Sequence, residues 1–170
     1  MSVSDIEEEM REIYEIELST SAISIITNKV NQAAQEWQNR PLDPVYLIVW
    51  MDGIVFKVRD NGKIINKTVY LCVGLKQNGL KEVLGMWVGK SESSSFWMGV
   101  LTDLKARGVQ DILIIRKYTK AKLSFPSDDA VKKTIYLSLM EIEKKWTQPI
   151  HNWGLIMNQF MLIFENRIQI

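Results

Sequence analysis

Apolar positions along the chain change period twice, and each change marks a different kind of element. Ser4, Asp5, Ile6 and Glu7 have capping-box spacing, in which Ser4 and Glu7 satisfy each other's free amide groups. Ile6, Met10 and Ile13 then recur at i, i+4 and i+7, one stripe of a helix. Ser19 and Thr20 predict the cap of a second helix with Ile23, Ile26, Val30, Ala33 and Trp37 on its apolar face, stopped at Asn39-Arg40-Pro41. Beyond Pro44 the pattern turns to β. Val45 to Met51 is a continuous apolar run, the mark of a central strand buried on both faces, and Ile54 to Arg59 keeps strand character after Asp52-Gly53. Asp60-Asn61-Gly62 predicts a hairpin turn, because Asn-Gly tolerates the positive φ angles of a tight β-turn. Ile64 to Leu75 is then the return strand, Gln77-Asn78-Gly79 a second turn and Lys81 to Val88 a third strand.

After Ser91-Glu92-Ser93, a helix is predicted with Phe96, Trp97, Val100, Leu101 and Leu104 on its buried face and Gly108 at its close. Asp111 to Ile115 follows as a buried strand reached by a helical crossover, which places it parallel to a sheet strand. Asp128 to Trp146 and Trp153 to Ile168 have the spacing of two further helices. The order β-β-β-α-β is the opening half of a ribonuclease-H-like fold. The expected architecture is therefore α/β (α+β), a partial core of that kind with an N-terminal helical hairpin and two C-terminal helices. Three regions are expected: a helix-turn-helix-like segment at 1–40, the half-core at 41–115 and a C-terminal helical segment at 116–170. The hairpin reads in two ways. It is either a DNA-reading pair, with Ser21, Ser24, Thr27, Asn28 and Lys29 as the polar side of the second helix, or two plain packing helices.

Composition narrows the function classes. The 170 residues are 46% hydrophobic and 24% charged, ordinary for one globular domain and wrong for a disordered chain. A lone Cys72 excludes an internal disulfide framework and points to a cytoplasmic protein. A lone His151 excludes a histidine-rich zinc or copper site. No run approaches the roughly 20 apolar residues of a membrane helix, and the acidic start lacks the regions of a secretory signal. The net charge of +1 gives no whole-molecule field for DNA, but the distribution is lopsided. Residues 1–20 hold seven acids against one base, and residues 116–145 eight bases against four acids. The basic part, with Arg116, Lys117, Lys120 and Lys122 at its head, reads either as nucleic-acid contact or as solvated surface.

Asp52 is the one acid placed suggestively, where a buried strand gives way to Gly53. A carboxylate there is costly unless it pairs, binds a metal or lies at an open strand end. Two-metal phosphoryl chemistry needs two or three such acids at one spot. Asp60 falls in a turn at the far end of a hairpin, Asp111 at the start of its strand, and Asp128-Asp129 beside Ser127 as a helix N-cap. No glycine-rich phosphate loop has the required spacing, His151 has no nucleophile motif near it, and Cys72 reads as a small core residue.

Several stretches carry a family signature: Glu36-Trp37-Gln38-Asn39-Arg40-Pro41-Leu42-Asp43, Lys67-Thr68-Val69-Tyr70, Glu82 to Gly89, and Phe96-Trp97 through Asp103-Leu104-Lys105 and Arg107-Gly108-Val109 to Ile114. With Phe125-Pro126-Ser127-Asp128-Asp129 and Glu143-Lys144-Lys145-Trp146, they resemble the mutator-type transposases of bacterial insertion sequences. The resemblance implies a DDE enzyme that binds inverted-repeat DNA and cuts and joins strands with Mg2+. It also implies that Asp52 is the first catalytic and metal-binding acid. In the family a second acid follows the strand matching Ile112 to Ile115; here Ile115 runs straight into Arg116-Lys117-Tyr118-Thr119-Lys120. The resemblance thus implies an internally deleted, N-terminally shortened transposase without two of its three acids, catalytically defective and holding no stable Mg2+. Its expected partners are DNA, a second copy of itself or an intact relative, and no membrane.

Overall fold

The computed structural model describes residues 19–60, 63–89, 93–124 and 127–168. The predicted first helix, the Asn61-Gly62 hairpin tip, Ser91-Glu92 and Phe125-Pro126 lie outside these residues. Two compact units make up the chain, divided between Trp37 and Gln38. Helix α1 spans Thr20–Asn39. As predicted, Ser19 caps it, its side-chain oxygen accepting from the Ala22 amide at 3.2 Å. Ile23, Ala34 and Trp37 are buried along one stripe. Ile26, expected on that face, is 50% exposed, because the stripe is centred on positions 23, 30, 34 and 37 and Ile26 falls at its border.

Four strands, β1 (Val45–Asp60), β2 (Lys63–Lys76), β3 (Lys81–Gly89) and β4 (Asp111–Ser124), form one sheet in the order β3-β2-β1-β4. β1 and β2, and β2 and β3, pair antiparallel, as tight turns require. At the second turn the Asn78 side chain accepts from the Leu80 amide and Gly79 sits at φ +82°. β4 lies parallel to β1, reached by helix α2 (Ser94–Ala106), as the crossover argument predicts. Ser93 caps α2 by accepting from the Phe96 amide, and Gly108 at φ +113° turns the chain out of it.

The strands run further than the apolar pattern suggests. β1 continues through Asp52-Gly53 to Asp60, so its ladder with β4 extends from Val45–Asp111 to Lys57–Ser124. Residues 116–124 are therefore strand, and the segment expected to be helical from 116 begins as part of the sheet. Alternating apolar residues fade there because an edge strand carries lysine and arginine without loss.

Helix α2 covers one face. Val100 and Leu104 pack with Tyr46, Val49, Met51, Cys72 and Leu84. Leu101, predicted on that face, lies at its border and is 37% exposed. The other face receives helix α4 (Trp153–Ile163), whose Phe160 packs with Leu47 and Ile168. Tyr46 and Leu47, neighbours in sequence, are both fully buried and belong to the two opposite layers, so β1 is central as its composition predicts. Helix α3 (Asp128–Glu143) is capped by Ser127, which accepts from the Ala130 amide, with Asp128 and Asp129 in its first turn. It buries Val131, Ile135 and Leu139.

Side chains close the outer edge of β3. Glu143 accepts from the Val83 amide, Arg40 donates to the Val83 carbonyl, and Gln38 accepts from the Met86 amide. Among the described residues no helix is long and apolar enough to cross a membrane.

Candidate nucleic-acid interface

Asp52 does not stand at a strand end. It is mid-strand in β1, exposed, with Leu71 of β2 and Tyr118 of β4 as its register partners. No described residue hydrogen-bonds or ion-pairs with it. At about 3.3 Å per residue, Asp111 begins β4 some 23 Å back along the parallel ladder, and Asp60 ends β1 about 26 Å the other way. Asp111 is held by Arg167 through both carboxylate oxygens, which keeps its carboxyl below the usual range. Asp128 is bonded to Lys67 at 2.5 Å, Asp103 faces Arg107 at 3.5 Å, and Asp43 and Glu82 share Lys76. Among the described residues no group of three or more His, Cys, Asp or Glu could hold a metal ion. Magnesium dehydrates reluctantly and needs anionic ligands converging from an octahedral shell. Among the described residues Asp52 offers a single carboxylate, which does not fit it.

The predicted polar side of α1 is divided. Ser21, Asn28 and Lys29 are exposed. Ser24 and Thr27 are half-buried, and the Thr27 hydroxyl donates to the Ser24 carbonyl within its own helix at 3.1 Å. Ser21 and Asn28, seven positions apart, share one face, with Lys29 beside it.

The four bases expected to touch DNA, Arg116, Lys117, Lys120 and Lys122, all fall on β4, the strand beside Asp52. Arg116 pairs in register with Trp50, and Lys117 with Met51. Both are exposed. The Lys117 ammonium lies 5.0 Å from the centre of the Trp97 ring, a cation–π contact that aims the base at the N-terminal half of α2. Trp97 meets Tyr70 and Phe96 edge-on at 5.2 and 5.3 Å. Two glycines make room for this cluster: a side chain at Gly53 would meet Tyr70, and one at Gly89 would meet Phe96.

Sequence reasoning missed a polar knot at the start of β1. Glu82 accepts from Arg40 and from the Tyr46 hydroxyl at 3.0 Å, and Lys76 spans Glu82 and Asp43. Burial first, and the Glu82 charge second, push the Tyr46 hydroxyl well above its ordinary value. Arg107 is buried nearby and donates to the Arg40 carbonyl. Arginine and acid spaced across three elements give no local pattern, so only the fold could reveal this knot.

Four of these residues, Arg40, Asp43, Glu82 and Arg107, lie in the stretches that carry the family signature. The profile of the family described as "Transposase, Mutator family" matches residues 1–116. Over 114 residues the chain is 44% identical to a probable transposase for insertion sequence element ISRM3-like of Sinorhizobium fredii, covering 67% of this chain and 28% of that one. The same identity and coverage hold for the transposase for insertion sequence element ISRM3 of Rhizobium meliloti. A probable transposase for an insertion sequence element of Corynebacterium diphtheriae is 38% identical over 115 residues, 68% of this chain and 34% of that one. The chain belongs to the Mutator family of transposases. It spans about a quarter to a third of the length of these relatives. The Phe125–Asp129 and Glu143–Trp146 stretches fall beyond the residues the family profile matches.

Proposed function

We propose that this chain is a DNA-binding member of its family, directed to the inverted-repeat ends of an insertion sequence element, that does not cut or join strands. The carrying observation is the contrast between two neighbouring strands. Asp52 on β1 has no second carboxylate within reach among the described residues, whereas Arg116, Lys117, Lys120 and Lys122 follow one another along β4 beside it. Strand transfer by two metal ions needs several acids at one point; phosphate binding needs only cations that can reach the backbone. The sheet order β3-β2-β1-β4 with β4 parallel is the support for reading the core as the opening half of a ribonuclease-H-like fold. The exposed Ser21, Asn28 and Lys29 of α1 form the second contact surface in this reading.

The test is an anisotropy titration of the purified chain with labelled element-end duplex, beside a nicking assay in Mg2+ or Mn2+. Binding that weakens steeply with salt and leaves the duplex intact is expected. Cleavage would overturn the non-catalytic half of the reading. Failure to bind at low salt would overturn the DNA half.

A further inference from the structure

We propose that the outer edge of β4, with the groove between it and α2, is a docking site for an extended acidic polypeptide segment that joins the sheet as a fifth strand. This shares the β4 bases with the DNA reading and adds the backbone edge and an apolar groove that DNA would not need. β4 is 14 residues long and ends the sheet, with β1 as its neighbour. At the opposite end of the sheet Arg40, Gln38 and Glu143 occupy the backbone groups of β3. On β4 such a bond occurs at the start, where Arg167 donates to the Ile112 carbonyl. A long strand that stands last in its sheet is a template for another chain.

The groove says what shape the occupant has. It has a volume of about 250 Å³ and is lined by Leu101, Leu104, Lys105, Val109, Ile112 and Ile115, among others. Ile115 is 51% exposed, and Met98, one turn before Leu101 on α2, extends the apolar stripe at 63%. An added strand would place alternate apolar side chains into this groove while its backbone bonds to β4.

Charge chooses the partner. After Asp111, which Arg167 neutralises, β4 carries four bases and no acid. A second copy of β4 would set those cations against their equals, which like-charge pairing across strands opposes. An acidic segment is matched to them.

The probe is a short labelled peptide alternating valine and threonine and closing on a run of acidic residues, with a lysine-ending peptide as control. We expect the full chain to bind the acidic peptide saturably and the control not at all. Leu101→Asn and Ile115→Asn, both at exposed positions and so compatible with folding, should each weaken binding about tenfold. Hydrogen exchange of the β4 amides that do not bond β1 should slow in the complex. Binding unchanged in both variants, or exchange left unslowed, would reduce the contact to charge and overturn the proposal. A dimer in sedimentation that the acidic peptide does not dissolve would give the edge to a second copy instead. Element DNA slowing the same amides would give it to nucleic acid, and would overturn the proposal equally. Peptide binding without any DNA binding would support this docking site while counting against the DNA reading alone.

Discussion

The Nε of Arg107 donates to the backbone carbonyl of Arg40 at 3.0 Å, and the Arg107 carbonyl accepts from the Leu42 amide at 2.8 Å. This reciprocal stitch fixes the entry of β1 to the exit of α2. Burial first, partly offset by Asp103, lowers the Arg107 pKa from its usual value. The guanidinium remains the only group of the right length and fork to serve both Arg40 and Asp103. Arg107→Ala should lower unfolding stability by about 2 kcal/mol in a urea titration, with the slope unchanged. Arg107→Lys should recover little of that loss. A variant as stable as wild type would show the stitch to be incidental.

Gly74 offers a test of how tightly the α2 layer is packed. A methyl there would come within 2.5 Å of the Tyr46 ring and 3.0 Å of Leu84, both fully buried. Gly74→Ala should cost about 1–3 kcal/mol by overpacking. Thermal unfolding would register it as a clear drop in Tm, and an unchanged Tm would mean the ring yields freely.

Much of the frame was legible in the residues. The run Val45–Met51 announced a strand buried on both faces, Asn78-Gly79 its turn chemistry, and Ser93 and Ser127 their helices. Each of these is a local signal with one physical cause. Strand length was not legible, because Arg116 to Ser124 reads as polar surface and only the ladder offered by β1 makes it strand. The position of Asp52 failed for a related reason. Asp-Gly after an apolar run looks like a strand end, yet β1 continues past it with ladders on both sides. The Arg40–Glu82–Tyr46 knot depends on contacts tens of residues apart, which no period along the chain records.

Acidification should act late on the ion pair that ties Arg167 to β4. Bonding to Arg167 holds the Asp111 carboxyl below its ordinary value, so the pair stabilises fully above the unfolded carboxylate range and is lost as pH falls through the lower folded value. The Asp111 carboxyl resonance should therefore titrate with a midpoint below about 3.9, and return toward it in Arg167→Met. The carboxylate is partly solvated, so the accompanying change in global stability should be small. An ordinary midpoint in the wild-type chain would refute the pairing.

Cys72 should be silent to thiol reagents. It is fully buried in the α2 layer, and loss of solvent pushes its thiol up to about 12 despite the Arg107 charge. At pH 8 the folded chain should not react with a disulfide reagent over the time in which the urea-unfolded chain reacts completely. Prompt reaction of the folded chain would mean that this layer opens readily.

Asp52 and the β4 bases should separate cleanly under mutation. Asp52→Asn removes an exposed charge that no described residue pairs, so stability should stay within about 0.5 kcal/mol of wild type and element-DNA affinity should not fall. Arg116→Ala and Lys117→Ala should each weaken DNA binding and lower the salt slope by roughly one. Equal affinity in these two variants would move the phosphate contacts off β4.

The two ends of the sheet are chemically unlike, and that difference governs how far assembly could go. Arg40, Gln38 and Glu143 bond to β3 from within the same molecule, while β4 stands last at the other end of the sheet. A sheet open at both ends would propagate strand by strand into a fibre. With β3 engaged in this way, pairing between copies of this sheet through β4 would end at two.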